Sequence, residues 1–203
     1  MPLRPSLLLS LLAAAPPVAA QTPAGNDGWH LGGGVEVVRF GHVAVSDAAP
    51  GVAAAVRPSA RPAIHLSVER GSGAWGVELE AGWAGGHLEA GNDALSIQDR
   101  SSAVSRYRLA LGIARRVAAV GNGTVGFALV PTLDLWAVSG EHRLRAGAEG
   151  RLVLRIPLGS VELENRVGVG LSGNPVDLTD IGEASDLRGL RTVFVGLGLW
   201  FGV

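Results

Sequence analysis

The stretch Thr192-Val193-Phe194-Val195-Gly196-Leu197-Gly198-Leu199-Trp200-Phe201-Gly202-Val203 decides the fold. One set of alternate positions is Val193, Val195, Leu197, Leu199, Phe201 and Val203; the interleaved set is Thr192, Phe194, Gly196, Gly198, Trp200 and Gly202. Successive side chains of a strand point to opposite faces, so a two-residue period of this length reads as one long strand. Its aliphatic face suits lipid and its glycine-rich face suits the inside of a closed wall.

The same alternation recurs seven more times towards the N-terminus. The first strand sets Trp29, Leu31, Val35 and Val37 against His30, Gly32, Gly34 and Glu36; the second sets Ile64, Leu66 and Val68 against His65, Ser67 and Glu69. The third places Trp75, Val77, Leu79, Ala81 and Trp83 opposite Gly76, Glu78, Glu80 and Gly82, and the fourth places Tyr107, Leu109, Leu111 and Ile113 opposite Arg106, Arg108, Ala110 and Gly112. The fifth, 124–137, has Val125, Phe127, Leu129, Leu133 and Leu135 on its apolar face and Asp134 on the other. The sixth alternates Leu144, Ala146, Ala148, Leu152, Leu154 and Ile156 with Arg143, Arg145, Glu149, Arg151 and Arg155. The seventh alternates Val161, Leu163, Val167, Val169 and Leu171 with Glu162, Glu164, Arg166 and Gly168. The expected fold is therefore all-β, an eight-stranded antiparallel up-and-down transmembrane β-barrel, with six or ten strands as the alternative counts.

The connections alternate in length, as they do in such barrels. Three on one side are short: Gly71-Ser72-Gly73, 117–123 and Pro157-Leu158-Gly159-Ser160. On the other side 41–61, 85–102 and 172–186 are long and polar, and only 138–141 is short. Two residues sit badly in this register. Asn165 falls on the lipid face in mid-strand, and Pro131 lies inside the fifth strand, where its missing N–H predicts a bulge or a local break.

The N-terminus reads as an export leader over 1–20: Arg4, the apolar run Leu7 to Ala15, then Val18-Ala19-Ala20, with 21–203 as the barrel domain. That run is too short to span a bilayer, and no later segment approaches the ~20 apolar residues a spanning helix needs. Hydrophobic residues make up 47% of the chain and charged ones only 17%, below the roughly 25% of soluble domains. An apolar exported chain without a spanning helix is accommodated in a membrane as a closed barrel. Cysteine is absent, which removes thiolate metal sites and thiol catalysis, and a net charge of −1 gives no sign of nucleic-acid binding.

A soluble barrel or sandwich is the rival reading, and two patterns oppose it. The aromatics Trp29, Trp75, Phe127 and Phe201 fall near one end of the apolar face, and Trp83 and Tyr107 near the other. Trp75 and Trp83 stand about 20 Å apart along the membrane normal at ~3.3 Å per residue and typical tilt, the separation of two interfacial girdles. The charges of the other face also fall in opposite-sign neighbours. Glu78 and Glu80 lie beside Arg106 and Arg108; Arg143, Arg145 and Arg151 lie between Asp134 and the pair Glu162 and Glu164. Together with Glu36, Glu69, Glu149 and Arg166 these residues form the expected lumen charge network, in which cross-strand pairs neutralise one another.

Taken together, the chain resembles the family of small outer-membrane β-barrels related to the transmembrane domain of OmpA, OmpX and OmpW. Gly28-Trp29-His30-Leu31-Gly32-Gly33-Gly34-Val35 carries the likeness in the first strand and Gly198-Leu199-Trp200-Phe201-Gly202-Val203 in the last. The resemblance implies that Gly198, Phe201 and Val203 serve as the signal read by the outer-membrane assembly machinery, although the chain departs from the usual pattern in ending on Val203 rather than Phe. It implies residence in the bacterial outer membrane among its lipid and lipopolysaccharide, as a monomer, without a cofactor.

Other motifs carry less. His65-Leu66-Ser67 matches the His-x-Ser pair of lipid A deacylase barrels, but residues two apart on a strand stand ~6.6 Å apart, too far for a base to reach a nucleophile directly. Polar filling of the lumen is the expected role. Asp177, Asp180, Glu183 and Asp186 lack the alternating spacing of a calcium loop and read as a solvated acidic loop. Gly32-Gly33-Gly34 is no phosphate loop, because it lies within a strand. The functional expectation is a non-enzymatic barrel with a plugged, charge-paired interior that acts structurally or through its external loops. The alternatives are a narrow channel for small solutes or ions and a lipid-modifying enzyme.

Overall fold

The computed structural model describes residues 27–49, 52–59, 61–91, 96–177 and 185–203; the leader expected over 1–20 lies outside them. The strands are β1 Gly28–Phe40, β2 Ala44–Ala49, β3 Val52–Pro58, β4 Arg61–Ser72, β5 Trp75–Gly91, β6 Ser96–Val120, β7 Gly123–Val138, β8 Glu141–Leu158, β9 Val161–Ser172, β10 Ser185–Leu187 and β11 Leu190–Gly202. Antiparallel pairing runs β5-β4-β1-β11-β9-β8-β7-β6 and returns from β6 to β5, so eight strands close a ring and the all-β barrel expectation is met. The apolar face of each strand lies outside. Leu66 is 73% exposed and Leu129, Val169 and Leu171 are each above 60%, whereas Glu80 is 1% exposed and Asp134 is fully buried. That inversion of the usual soluble pattern is what a lipid solvent requires.

Short turns close one end. Gly73-Ala74, Gly121-Asn122 and Gly159-Ser160 are two-residue hairpins with a positive φ at the glycine, the conformation that matches the right-handed twist of the flanking strands. At the other end Ser139 (φ 51°) and Gly140 (φ 87°) are both left-handed, the signature of the mirror-image type I turn. The turn expected over 117–123 is shorter than its sequence suggests, because β6 runs on to Val120 and pairs it with Gly123.

The long external connections contain structure that alternation did not reveal. β2 and β3 form a hairpin that extends the sheet beyond the rim, where β3 joins the far end of β5 through Pro58↔Leu88 to Ala55↔Gly91, and β10 adds to β2. β5 and β6 rise with it, their pairing shifting register once between His87 and Leu88. This extension folds Val43 and Val56 onto Phe40, Val104, Trp136, Val138, Val176, Leu190 and Phe194, an apolar cluster at the external end of the lumen. Phe40 and Trp136 meet edge to face with ring centroids 5.6 Å apart, a favoured aromatic geometry.

Asn165 does face outwards, half-exposed between Leu154 and Leu197, so the register there is as read. Pro131 produces a break without a bulge. It pairs with Ala148 on β8, while the β6–β7 ladder skips from Ala110↔Thr132 to Ile113↔Leu129 with no change of register. Proline lacks the donor for one neighbour only, so a single ladder is interrupted. The β6–β7 bulge lies instead between Arg116 and Ala118, near the short-turn end.

Candidate functional site

Closure of the ring turns the interleaved polar positions of eight strands into one lumen, and their charges meet across it. Glu80 on β5 is the hub. Its carboxylate accepts from Arg108 at 2.5 Å, from Arg151 at 2.9 Å and from Arg166 at 2.5 Å. Glu36 on β1 joins Arg108 (3.0 Å) to Arg166 (2.7 Å), and Glu149 joins Arg108 (2.8 Å) to Arg151 (2.9 Å) and to Arg106 (3.5 Å). Arg106 also donates to Asp134 at 2.8 Å. Every one of these side chains is nearly or fully buried. Desolvating isolated ions would be prohibitive, and mutual ionisation in a shared network is the arrangement that makes such an interior tolerable.

A second group lies towards the short-turn end. Arg155 binds Glu164 at 2.9 Å and Glu69 at 2.7 Å, and Arg116 reaches Glu69 at 3.2 Å. Glu78 sits between the groups with its nearest arginine nitrogen, on Arg151, at 3.8 Å. Arg155 also lies over the buried Trp200 ring, 4.1 Å from its centroid. At the other end Arg106 lies 5.6 Å from the Trp136 centroid and 6.0 Å from that of Phe40, where the network meets the apolar cluster. The interior is thus stratified into an apolar plug, a central charge network and an Arg–Trp layer.

The side chains of Glu36, Glu69, Glu78, Glu80, Arg106, Arg108, Asp134, Glu149, Arg151, Glu164 and Arg166 are all buried inside the ring. Arg143 and Arg145 need correction. Placed above the network, they turn to the 173–177 segment. Arg143 pairs with Glu141 and with Asp177 (3.0 Å) and donates to the Pro175 carbonyl, and Arg145 pairs with Asp177 at 3.2 Å and donates to the Asn174 carbonyl. Asp177 is thus bound to the barrel rather than simply solvated; Asp180 and Glu183 lie outside the described residues, as does the side chain of Asp186. Glu162 is half-buried near the short-turn end. Arg155 and Arg116 are network members that opposite-charge neighbour counting passed over, although Arg155 is on the inward face of its strand. The apolar plug was missed as well. Its signal is the loss of alternation where both faces turn apolar, in Val37-Val38 and Val193-Phe194-Val195.

The aromatics expected at the two interfaces are all on the outer face: Trp29, Trp75, Trp83, Tyr107, Phe127 and Phe201 are each between 43% and 51% exposed. Trp83 and Tyr107 are direct cross-strand partners. At the opposite end Arg70 stacks over Trp29 and Arg115 over Trp75, each 5.2 Å from the ring centroid. Amphipathic rings with a cation above them suit a headgroup region. Of the proposed assembly signal, Phe201 and Val203 are exposed and Gly198 faces inwards beside the Gly33 carbonyl.

His65 and Ser67 both point into the lumen but are not organised as a nucleophile and its base. Ser67 Oγ lies 3.5 Å from Glu80 Oε2, and among the described residues neither ring nitrogen of His65 has a hydrogen-bond partner. Among the described residues no three His, Cys, Asp or Glu side chains converge on a common metal position.

No protein-family profile matches the chain and no curated protein matches it in sequence. Its fold does match solved structures. Neisserial surface protein A superposes with a TM-score of 0.60 over 87% of this chain and 98% of that one, at 8% identity. A major outer membrane protein from Thermus thermophilus superposes with a TM-score of 0.50 over 86% of this chain and 99% of that one, at 11% identity. At these identities the shared property is the fold, an outer-membrane type of barrel.

Proposed function

We propose that the chain resides in a bacterial outer membrane as a non-enzymatic barrel that conducts no solute and acts structurally or through its external surface. The observation that carries this reading is the lumen itself. Eight strands enclose an interior only wide enough to be filled by side chains, and here the filling is a buried network around Glu80 beneath an apolar plug. A path for ions would have to separate arginines and carboxylates already in contact. The inverted exposure pattern and the two aromatic girdles support the membrane setting, and Neisserial surface protein A, which has the same fold, bears the word surface in its name.

Two measurements test the proposal. The chain refolded in detergent should migrate differently on gels before and after boiling; absence of a shift, with ready solubility in plain buffer, would sink the membrane reading. In planar bilayers the wild type should give no steady current. Stable conductance that changes when Glu80 or Arg108 is neutralised would make it a channel instead.

A further inference from the structure

The outer wall carries a feature that neither the lumen nor the girdles explain. Two adjacent cross-strand rows cross the barrel from β7 to β1: Phe127, Leu152, Val167, Val195, Val37 and, beside it, Leu129, Gly150, Val169, Val193, Arg39. Gly150 faces outwards with open space where a Cβ would stand. The rows line an open apolar depression of about 850 Å³. Four inter-strand steps of about 4.8 Å make it roughly 19 Å long, and strand tilt inclines it to the membrane plane, a rise of about 12 Å at ~40°. The direction of that rise is set by residue position. Phe127 lies near the short-turn end of β7 and Arg39 at the external end of β1.

Arg39 is also the lower edge of a second cleft, of about 760 Å³, lined further by His42, Arg57, Arg188 and Arg191. Arg39 and Arg191 are exposed diagonal neighbours on β1 and β11, since Arg39 pairs with Val193 and the Gly41 N–H donates to the Arg191 carbonyl. Neither has an ion pair among the described residues, whereas Arg57 is bound to Glu89 at 3.2 Å. No carboxylate lines the cleft among those residues. An apolar trough that ends at a cluster of arginines offers an acyl chain a furrow and a phosphate a multidentate partner.

We infer that this wall binds one phosphate-bearing lipid of the external leaflet, its phosphate held by Arg39 and Arg191 and an acyl chain lying along the trough past Gly150. The inference rests on the reading of the barrel as membrane-spanning. Arginine on a lipid-facing wall is tolerated at the interface and is favoured there when an anion covers it.

Native mass spectrometry of the detergent-refolded barrel tests it, with bisphosphorylated hexa-acyl lipid A and its dephosphorylated form as probes. The wild type should retain one lipid A and hold the dephosphorylated form at least ten-fold less. The double variant R39Q/R191Q should lose about ten-fold in retention, and G150L, which fills the trough, several-fold. R70Q/R115Q, at the opposite interface, should bind as the wild type does. Equal retention of the two lipids by the wild type overturns the inference, and that comparison needs no variant. Equal retention by R39Q/R191Q, or an equal loss in R70Q/R115Q, overturns it too, because charge anywhere on the wall would then account for binding. The gel shift on boiling, measured on each sample, separates this failure from failure of the barrel reading. A shifted barrel that ignores lipid A sinks only the site, and an unshifted chain sinks the barrel.

Discussion

Neutralising Glu80 without changing its shape should cost the barrel more than any other single lumen substitution. Glu80 is 1% exposed and binds Arg108, Arg151 and Arg166 together. In E80Q the three guanidiniums stay charged, because arginine does not deprotonate in proteins. Arg108 keeps Glu36 and Glu149, Arg151 keeps Glu149, and Arg166 keeps Glu36. The remaining carboxylates are then shared by an excess of buried positive charge. Charge-assisted hydrogen bonds are worth about 1.5–3 kcal/mol each, but they do not add, and the neighbours re-pair. The better guide is the measured cost of removing one partner of a buried ion pair, about 3–5 kcal/mol. At ~1.4 kcal/mol per decade this is a shift of two to four decades in the unfolding equilibrium. Urea titration of the barrel in lipid vesicles, followed by tryptophan emission, reads it as a lower midpoint at unchanged slope. In the double variant E80Q/R166M, removal of one orphaned charge should recover part of the loss. A cost below about 1 kcal/mol for E80Q, or no recovery in the double variant, would show that the network is hydrated and contributes nothing as a unit.

Three further outcomes follow from other parts of the structure. Leu66→Arg, in the middle of the outer belt, should destabilise the vesicle-embedded barrel by about 2–4 kcal/mol; a water-facing Leu66 would give a change within about 0.5 kcal/mol in the same titration. Gly32→Ala places a methyl group below 3 Å from the Trp200 ring, so it should cost about 1–3 kcal/mol and shift the emission of that buried tryptophan, whereas Gly150→Ala, with open space around it, should leave stability unchanged. Arg115→Met removes the cation over Trp75 and should lower stability by about 0.5–1 kcal/mol, with an equal effect in Arg70→Met if the two Arg–Trp pairs do the same work at one interface.

Alternation alone was enough to read eight walls, their outward and inward faces and even the awkward positions of Asn165 and Pro131. The reason is that side-chain direction in a strand is a local property with a period of two, and a lipid exterior imposes one preference on every outward position. It was also enough to place Glu36, Glu80, Arg108 and Arg166 inside. It could not say which carboxylate meets which arginine. Counting neighbours on adjacent strands suggested Asp134 for Arg143 and Arg145, yet Asp134 takes Arg106, and both arginines reach up to Asp177. Glu36 and Arg166 meet although β1 and β9 are not adjacent strands.

Those contacts depend on the curvature of the closed ring, which brings the side chains of opposite walls within a guanidinium's length, and no local pattern encodes curvature. The apolar plug beneath the β2–β3 hairpin and the inclined trough from Phe127 to Arg39 arise in the same way. Each is assembled from strands far apart in the chain, and each owes its shape to strand tilt and register around the ring. Local pattern along the chain settled which residues face lipid and which face inwards; closure of the ring decided which of the inward charges neutralise one another and where the outer wall offers a place to bind.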